Sequence, residues 1–415
     1  MVEGHSQDGN ARLLVLGAGP AQLGLLAAAR KRGLYVIAAD RDASAPGLRY
    51  ADRRAIVSAE DEHAVERLAE AERVAGVIAP GIDWPVAIAA RVAERLGLPH
   101  PVTPGAAALA TSKVKQRDAF AQAEVPQPRF VSCHSAAEAH AAADELGYPV
   151  VVKAPDRQGQ RGLSVVADAG SLDSAVAAAL EASRSGALLV EELAHGREVT
   201  VNAFSVAGRF HALTVTDRHT ADAPAFGVAL AHSWPCSQPP RQIAQAIDAA
   251  RRAAAAVGIA EGPTYTQVIV SGEGAVVGEL AARLGGGHDG ELCRTALGVD
   301  LNGLAIDAAL GFSVPPHRLA PKARVGGACV RFLVAPEGEL REVQGLDEAF
   351  ALEGVLGIRV YRRPGHVFGP LRRGSDRAGA ILAVGRSAEH ALARAEEAAR
   401  LIRFATTDVD AQVVA

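Results

Sequence analysis

Apolar runs alternate with stretches of helical periodicity over the first hundred residues. The apolar run at 13–16 is followed by a glycine turn and an Ala/Leu-rich helix, and a second apolar run ends at Asp40. A third short apolar run, 76–81, precedes a helix that ends at Gly97. Strands that alternate with helices predict an open parallel sheet covered by helices on both faces, from about residue 12 to residue 110.

The pattern changes beyond residue 110, where a boundary and one amphipathic helix are followed by strands joined through short turns. Segment 148–168 is typical of a strand, a polar loop and a second strand. Segment 264–283 alternates as a hairpin that turns at Gly272–Gly274. A second α+β region begins after about Pro321. The pattern therefore predicts a chain of mixed α/β and α+β class with more than one domain.

Composition narrows the class of protein. Hydrophobic residues make up 49% of the 415-residue chain and charged residues 22%, as in ordinary soluble globular proteins. The net charge of -4 comes without a basic stripe, which argues against a nucleic-acid partner. No apolar run approaches the ~20 residues that span a bilayer, and the polar start lacks the apolar core of a signal peptide, so we expect a cytoplasmic protein. The four cysteines are scattered and are expected to be reduced, buried thiols.

Lysine is scarce in this chain. Lys and Arg together number 43, and only five of them are lysines: Lys31, Lys113, Lys115, Lys153 and Lys322. Because arginine supplies the positive charge almost everywhere, a retained lysine is a candidate for a compact point charge in a site. Lys153 follows the apolar strand "PVVV" and is expected to face inward. Lys113 begins a helix, whereas Lys115 is expected to be solvated.

The glycine turn near the N-terminus has two interpretations. Gly17 and Gly19 form the first pair of a dinucleotide-binding fingerprint, and Asp40 lies at the distance expected of a ribose ligand. Gln22, however, stands where the third glycine belongs, and no second half for a dinucleotide follows. NAD binding by a dehydrogenase remains an alternative, and a structural turn in a doubly wound sheet is favoured.

The middle of the chain holds residues suited to ATP. Phosphates need cations and backbone donors, the ribose needs a carboxylate, and a metal–phosphate complex needs oxygen ligands. Such residues occur in this order: Lys113, Lys153, the loop glycines Gly159 and Gly162, Glu191, Glu192, Glu198, Gln267, Glu279 and Arg283.

This order resembles the ATP-grasp superfamily, over nearly the whole chain from about Arg12 to Phe404. Three segments carry the resemblance: "SKVKQRDAFAQAEVPQP", "LVEELAHGREV" and "GELAARLGGGHDGELCRTALGVDL". It implies an ATP-grasp fold with an N-terminal open parallel-sheet domain and a C-terminal α+β region. The implied divisions are a flexible N-terminus (1–11), a Rossmann-like domain (12–110), a lid with its connecting helix (111–195), a core (196–320) and a C-terminal α+β region (321–415).

The resemblance also implies roles for particular residues. ATP phosphates would contact Lys113, Lys153, Gly159 and Gly162. Adenine would contact Glu191, Glu192 and Leu193, and the ribose would contact Glu198. Mg²⁺ or Mn²⁺ would be bound by Gln267 and Glu279, and Arg283 would act on the reacting phosphate or carboxylate. Substrate would contact His232, Gly286, Gly287 and His288.

Each role has a plainer alternative. Lys113 and the Glu191–Glu192 pair could be solvated surface charges, Glu279 could form a salt bridge with Arg283 without metal, and His232 could be an ordinary loop histidine.

Two positions depart from the superfamily's pattern. Gln267 stands where many members have a metal-binding glutamate, and an amide oxygen can still bind magnesium. Ala281 stands where asparagine is usual, and alanine offers no ligand. The second metal, and with it full catalytic competence, is therefore in question.

Within the superfamily, the region from "GACVRFLVAPEGELREV" onward is most similar to the L-amino-acid ligases that make dipeptides. This implies an ATP-dependent carboxylate–amine ligase acting through an acyl phosphate, with small carboxylates and amines, amino acids above all, as partners. A homodimer is the common case for soluble enzymes. Two alternatives stay open: carboxyphosphate chemistry, and a nucleotide-binding protein with little catalysis.

Overall fold

The computed structural model describes residues 11–157, 160–222 and 225–407. Gly159, one of the predicted phosphate-binding residues, lies outside this part of the chain, as does nearly all of the predicted flexible N-terminus (1–11). No helix in the described part is long and apolar enough to cross a membrane.

The N-terminal region forms the predicted open parallel sheet, in the order β3-β2-β1-β4. Leu14 and Leu16 face one hydrophobic core and Leu13 and Val15 face another, because successive side chains of a strand point to opposite sides. Its elements are β1 (Arg12–Leu16), α1 (Leu23–Lys31), β2 (Tyr35–Ala39), β3 (Arg53–Ala55), α2 (Glu62–Glu72), β4 (Gly76–Ile78), α3 (Trp84–Arg95) and α4 (Pro104–Ala110).

The glycine turn of this region is closed by its own aspartate. One Asp40 oxygen accepts a hydrogen bond from the Ala18 amide at 2.7 Å, and the other accepts one from the Asp42 amide at 2.9 Å. A Cβ added to Gly47 would lie 2.6 Å from the Ala18 carbonyl oxygen, so a second segment also packs on the turn. Since Asp40 already binds backbone inside the protein, this geometry favours the structural interpretation of the turn.

A helix, α5 (Lys113–Gln122), leads into the lid. The single helix expected here is instead two helices, α4 and α5, because Ser112 caps a new helix by accepting a hydrogen bond from the Lys115 amide. The lid is a four-stranded antiparallel sheet, β5-β8-β6-β7, backed by two helices. Its elements are β5 (Phe130–Cys133), α6 (Ala136–Leu146), β6 (Val150–Lys153), β7 (Leu163–Val166), α7 (Leu172–Ala182) and β8 (Leu188–Glu192).

An eight-stranded sheet, β13-β12-β9-β10-β11-β14-β18-β16, forms the centre of the molecule. The predicted hairpin is present, since β12 and β13 flank residues 271–274. The elements of residues 197–309 are β9 (Arg197–Val206), β10 (Arg209–Thr220), β11 (Ala229–Trp234), α8 (Pro240–Ala256), β12 (Gly262–Val270), β13 (Ala275–Ala281), α9 (Asp289–Leu297) and α10 (Leu301–Ala309).

The C-terminal region contributes three strands to this same sheet. The predicted division at residue 320 therefore falls within a continuous hydrogen-bonded sheet, in which β11 pairs with β14. A small sheet, β17-β15-β19, completes the fold. The elements are β14 (Gly327–Leu333), β15 (Gly338–Gln344), α11 (Leu346–Ala351), β16 (Val355–Val360), β17 (Val367–Phe368), β18 (Gly379–Gly385), α12 (Ala388–Leu401) and β19 (Arg403–Thr407).

Candidate active site

A cleft of about 800 Å³ lies between the lid sheet and the β12–β13 end of the central sheet. Its lining brings together residues that are as far apart in sequence as α5 and β13. Eight of the predicted site residues line it: Lys113, Lys153, Glu191, Glu192, Leu193, Glu198, Gln267 and Glu279.

Gly162 packs in the lid beside the cleft. Glycine is required there because φ is +66° and because an added Cβ would lie only 2.6 Å from the Ala182 Cβ.

A buried carboxylate with two cations lies at the base of the lid. Glu191, which is 3% exposed, is 2.6 Å from the Lys153 amine and 2.8 Å from the Arg117 guanidinium. Burial raises the pKa of Glu191, but the two cations more than offset this and leave it well below its usual value. Burial lowers the pKa of Lys153 to about 8. The Glu191 side chain is thus engaged by Arg117 and Lys153 inside the protein.

Arg117 is a site residue that the sequence analysis missed. It lies one helical turn after Lys113 on α5, and this i, i+4 spacing was the available signal. The side-chain amide of Gln116 fixes the helix on β13, since it donates to the Leu280 carbonyl at 2.8 Å and accepts from the Leu280 amide at 2.9 Å. Lys113 is thereby held with its amine 3.1 Å from Glu279.

The predicted ribose ligand also has a protein partner. Glu198 forms an ion pair with Arg218, a nearly buried side chain that also donates to the Gly227 carbonyl at 2.8 Å. Glu192 is more open, with a 3.3 Å ion pair to Arg129 between two exposed side chains. An exposed pair of this kind contributes little to stability, so Glu192 is available to a ligand.

The predicted metal ligands face each other across the β12–β13 hairpin. Gln267 and Glu279 are register partners, and both line the cleft. Burial raises the pKa of Glu279, but Lys113 and then Lys153 lower it to a net value below normal, so the carboxylate is ionised. Ala281 lies two residues further along the same strand and is buried.

This donor set fits magnesium only in part. Among the described residues no group of three or more His, Cys, Asp or Glu side chains could hold a metal ion. Mg²⁺ bound to a nucleotide, however, usually takes one or two protein carboxylates and keeps phosphate and water ligands. Glu279 and Gln267, one carboxylate and one amide oxygen, meet that smaller requirement.

Arg283 does not pair with Glu279, so the salt bridge considered from the sequence is absent. Its Nε is 2.6 Å from Oδ1 of Asp83 in the N-terminal region, and its Nη1 donates to the Leu284 carbonyl at 2.9 Å. The guanidinium also lies 5.6 Å from the centre of the Tyr265 ring. Asp83 is a second residue that the sequence analysis missed.

The glycines after Arg283 form a tight loop between the N-terminal region and the central sheet. A Cβ on Gly286 would lie 3.3 Å from the Gly81 carbonyl oxygen, and one on Gly287 would lie 2.9 Å from Nε2 of His232. His232 is buried, its Nδ1 has no hydrogen-bond partner, and burial lowers its pKa to about 4. A neutral histidine with an unused ring nitrogen remains a candidate substrate contact.

His288, by contrast, is fully engaged by the protein. Its Nε2 is 2.6 Å from the Tyr361 hydroxyl and its Nδ1 is 3.1 Å from Glu291, which in turn pairs with Arg359 at 2.9 Å. The geometry therefore favours a structural role for His288 and leaves Gly286, Gly287 and His232 as the candidate substrate contacts.

Known proteins resemble this chain in sequence and in fold. Residues 118–290 match the ATP-grasp domain, and residues 331–407 match the L-amino acid ligase C-terminal domain 2. The formate-dependent phosphoribosylglycinamide formyltransferase of Synechococcus sp. (strain WH7803) is 30% identical over 397 residues, which cover 91% of this chain and 96% of that protein. The chain belongs to the ATP-grasp superfamily. Because members are ATP-dependent ligases that use ATP and Mg²⁺, the predicted class of enzyme is confirmed.

Two further likenesses add detail. The L-amino acid ligase of Bacillus licheniformis superposes with a TM-score of 0.82 at 21% identity, covering 96% of this chain and 99% of that one, which confirms the ATP-grasp fold. The uncharacterized protein y4rH of Sinorhizobium fredii (strain NBRC 101917 / NGR234) is 29% identical over 325 residues. Those residues are 77% of this chain and 65% of that protein, so the match spans about two thirds of y4rH.

Proposed function

We propose that this ATP-grasp protein joins a carboxylate to an amine. ATP phosphorylates the carboxylate, the amine attacks the resulting acyl phosphate, and an amide, ADP and phosphate are released. The observation that carries the proposal is the cleft itself, where two lysines and one ionised carboxylate, Glu279, surround a space of about 800 Å³.

The residues of the cleft divide into a nucleoside end and a phosphate end. The backbone at Glu191–Leu193 contacts adenine, and Glu198 holds the ribose hydroxyls. Lys113 and Lys153 contact the phosphates as compact cations. Gly162 keeps the lid loop close-packed beside them.

Glu279 and Gln267 would hold Mg²⁺ at the phosphate end. Bound there, the metal would neutralise phosphate charge. Lys113 is already 3.1 Å from Glu279, so nucleotide binding exchanges this ion pair for contacts with the phosphates. Ala281 leaves one protein ligand fewer than in the superfamily's usual pattern.

Arg283 acts at the chemical step. Its planar fork can donate to a phosphoryl group and a carboxylate together, and such donors act on charge that develops during phosphoryl transfer. His232, Gly286 and Gly287 line the side on which the carboxylate and amine bind. Amino acids are the favoured substrates because the C-terminal region matches the L-amino acid ligase domain.

The test is a screen for ADP release with MgATP, single L-amino acids and formate as carboxylates, and hydroxylamine as the amine. An acyl phosphate is trapped by hydroxylamine as a hydroxamate, which mass spectrometry identifies. Substrate-dependent hydroxamate supports the proposal, and pairs of amino acids then identify the natural amine.

The alternatives give different results in the same screen. ADP release that depends on bicarbonate and yields no hydroxamate would point to carboxyphosphate chemistry. ATP binding without ADP release from any carboxylate would indicate a nucleotide-binding protein with little catalysis. An NADH-induced change in fluorescence would reopen the dehydrogenase interpretation.

A further inference from the structure

Asp83 directly precedes helix α3 in the N-terminal region. Its backbone is already helical (φ -79°, ψ -52°), whereas an N-cap aspartate has an extended backbone and usually accepts a hydrogen bond from a backbone amide of the first turn. The Asp83 side chain makes no such bond. Asp61, the N-cap residue of α2 in the same region, does so, accepting from the Ala64 amide at 3.0 Å.

The Asp83 carboxylate instead crosses to the central sheet. It lies 2.6 Å from Nε of Arg283, and the two side chains are only 10% and 12% exposed. A charge-assisted bond between side chains so little exposed fixes the orientation of the guanidinium plane. The remaining donors of Arg283 are directed by this contact and by the bond to the Leu284 carbonyl.

Asp83 lies close to the proposed phosphate end of the cleft. Asp83 lines a narrow crevice of about 10 Å³ with Lys113, Arg157 and Glu279. A ligand that reaches Glu279 and Lys113 therefore comes close to the end of the N-terminal region that carries Asp83.

We propose that Asp83 is a positioning residue, through which the N-terminal region sets the guanidinium of Arg283 for phosphoryl transfer. This inference rests on the proposed function for the role of Arg283. It assigns the N-terminal region a part in the reaction that its turn and sheet alone do not reveal.

The decisive variant is Asp83→Asn, which keeps the shape and one acceptor oxygen but removes the charge. The probe is MgADP with and without aluminium fluoride, which mimics the transferring phosphoryl group, measured by calorimetry. We expect aluminium fluoride to increase the affinity of wild type for MgADP. In Asp83→Asn this increase in affinity should be at least tenfold smaller. The affinity for MgADP alone should change less than twofold.

Kinetics separate positioning from a merely structural role. With the carboxylate found in the hydroxamate screen, Asp83→Asn should lower kcat at least tenfold and leave the KM for ATP within about twofold. Asp83→Glu should recover part of the loss. In a double-mutant cycle, Asp83→Asn and Arg283→Lys should be clearly non-additive in their effect on kcat, because the two side chains are in direct contact.

Asp61→Ala is the matched control, since it removes a helix cap in the same region and should lower the melting temperature with kcat unchanged. The inference is overturned if Asp83→Asn keeps the full aluminium fluoride gain, if wild type shows no such gain, or if the two substitutions are additive. These outcomes differ from failure of the proposed function, in which wild type forms no hydroxamate with any carboxylate. A destabilised Asp83→Asn is recognised by its melting curve, and Asp83→Glu then decides the question.

Discussion

Lys153→Met should weaken ATP binding much more than it weakens the fold. The substitution keeps the apolar stem of a side chain that is 8% exposed and removes its charge. A hydrogen bond to a charged group contributes about 1.5–3 kcal/mol, which corresponds to an increase in the Kd for ATP of roughly 10- to 150-fold. The cost to the fold is smaller because Arg117 still holds Glu191 with bonds of 2.8 and 3.2 Å.

The assay is titration calorimetry with MgATP, together with thermal melting of both proteins. Lys115→Met is the control, since it removes an exposed lysine from the start of the same α5 helix that carries Lys113. We expect Lys115→Met to bind ATP like wild type. Equal affinity of folded Lys153→Met and wild type would refute the role of Lys153, and a collapse of the fold would refute the argument that Arg117 compensates.

Three further predictions concern pH, metal and packing. Lys153 is protonated below its pKa of about 8 and neutral above it, so kcat/KM for ATP should fall as pH rises through 8. Lys153→Arg should shift this fall in kcat/KM to higher pH. Ala281→Asn should lower the Mg²⁺ concentration that gives half-maximal ADP formation, and an unchanged magnesium titration would mean that another ligand fills this position. Gly287→Ala should cost about 1–3 kcal/mol of stability because its Cβ would lie 2.9 Å from Nε2 of His232. Gly272→Ala, whose Cβ meets nothing within 4 Å, should melt like wild type.

The sequence predicted the elements whose signals are local. Alternating strands and helices gave the N-terminal parallel sheet, and the glycines at 272–274 gave the β12–β13 hairpin. The cleft residues were predicted from the ATP-grasp resemblance, whose motifs fall on recognisable elements, as with Lys113 at the start of α5 and Lys153 at the end of β6. Ser112 is a typical N-cap residue that marks the start of a second helix, and it divides α4 from α5.

What the sequence did not predict are the partners of those residues. Glu191 was expected at adenine, and only the docking of α5 on β13 shows that Arg117 reaches it across 74 positions of sequence. The sequence suggested Glu279, four residues away, as an ion-pair partner of Arg283, whereas the partner in the structure is Asp83, 200 positions distant. Ion pairs between distant segments depend on how the sheets pack, and no periodicity within one segment encodes them.

The partners of three aspartates indicate how the N-terminal region contributes to the site. Asp40 binds the amide of Ala18 in the glycine turn, and Asp61 binds an amide of its own helix, so both stabilise local backbone. Asp83 directly precedes α3 with a helical backbone, makes no capping bond, and reaches Arg283. The Asp83 side chain therefore contacts a distant strand loop, whereas those of Asp40 and Asp61 bind nearby backbone. The glycine turn, whose sequence suggests a dinucleotide site, thus has its Ala18 amide bound by Asp40. The N-terminal region meets the cleft through the loop that follows β4, which carries Asp83.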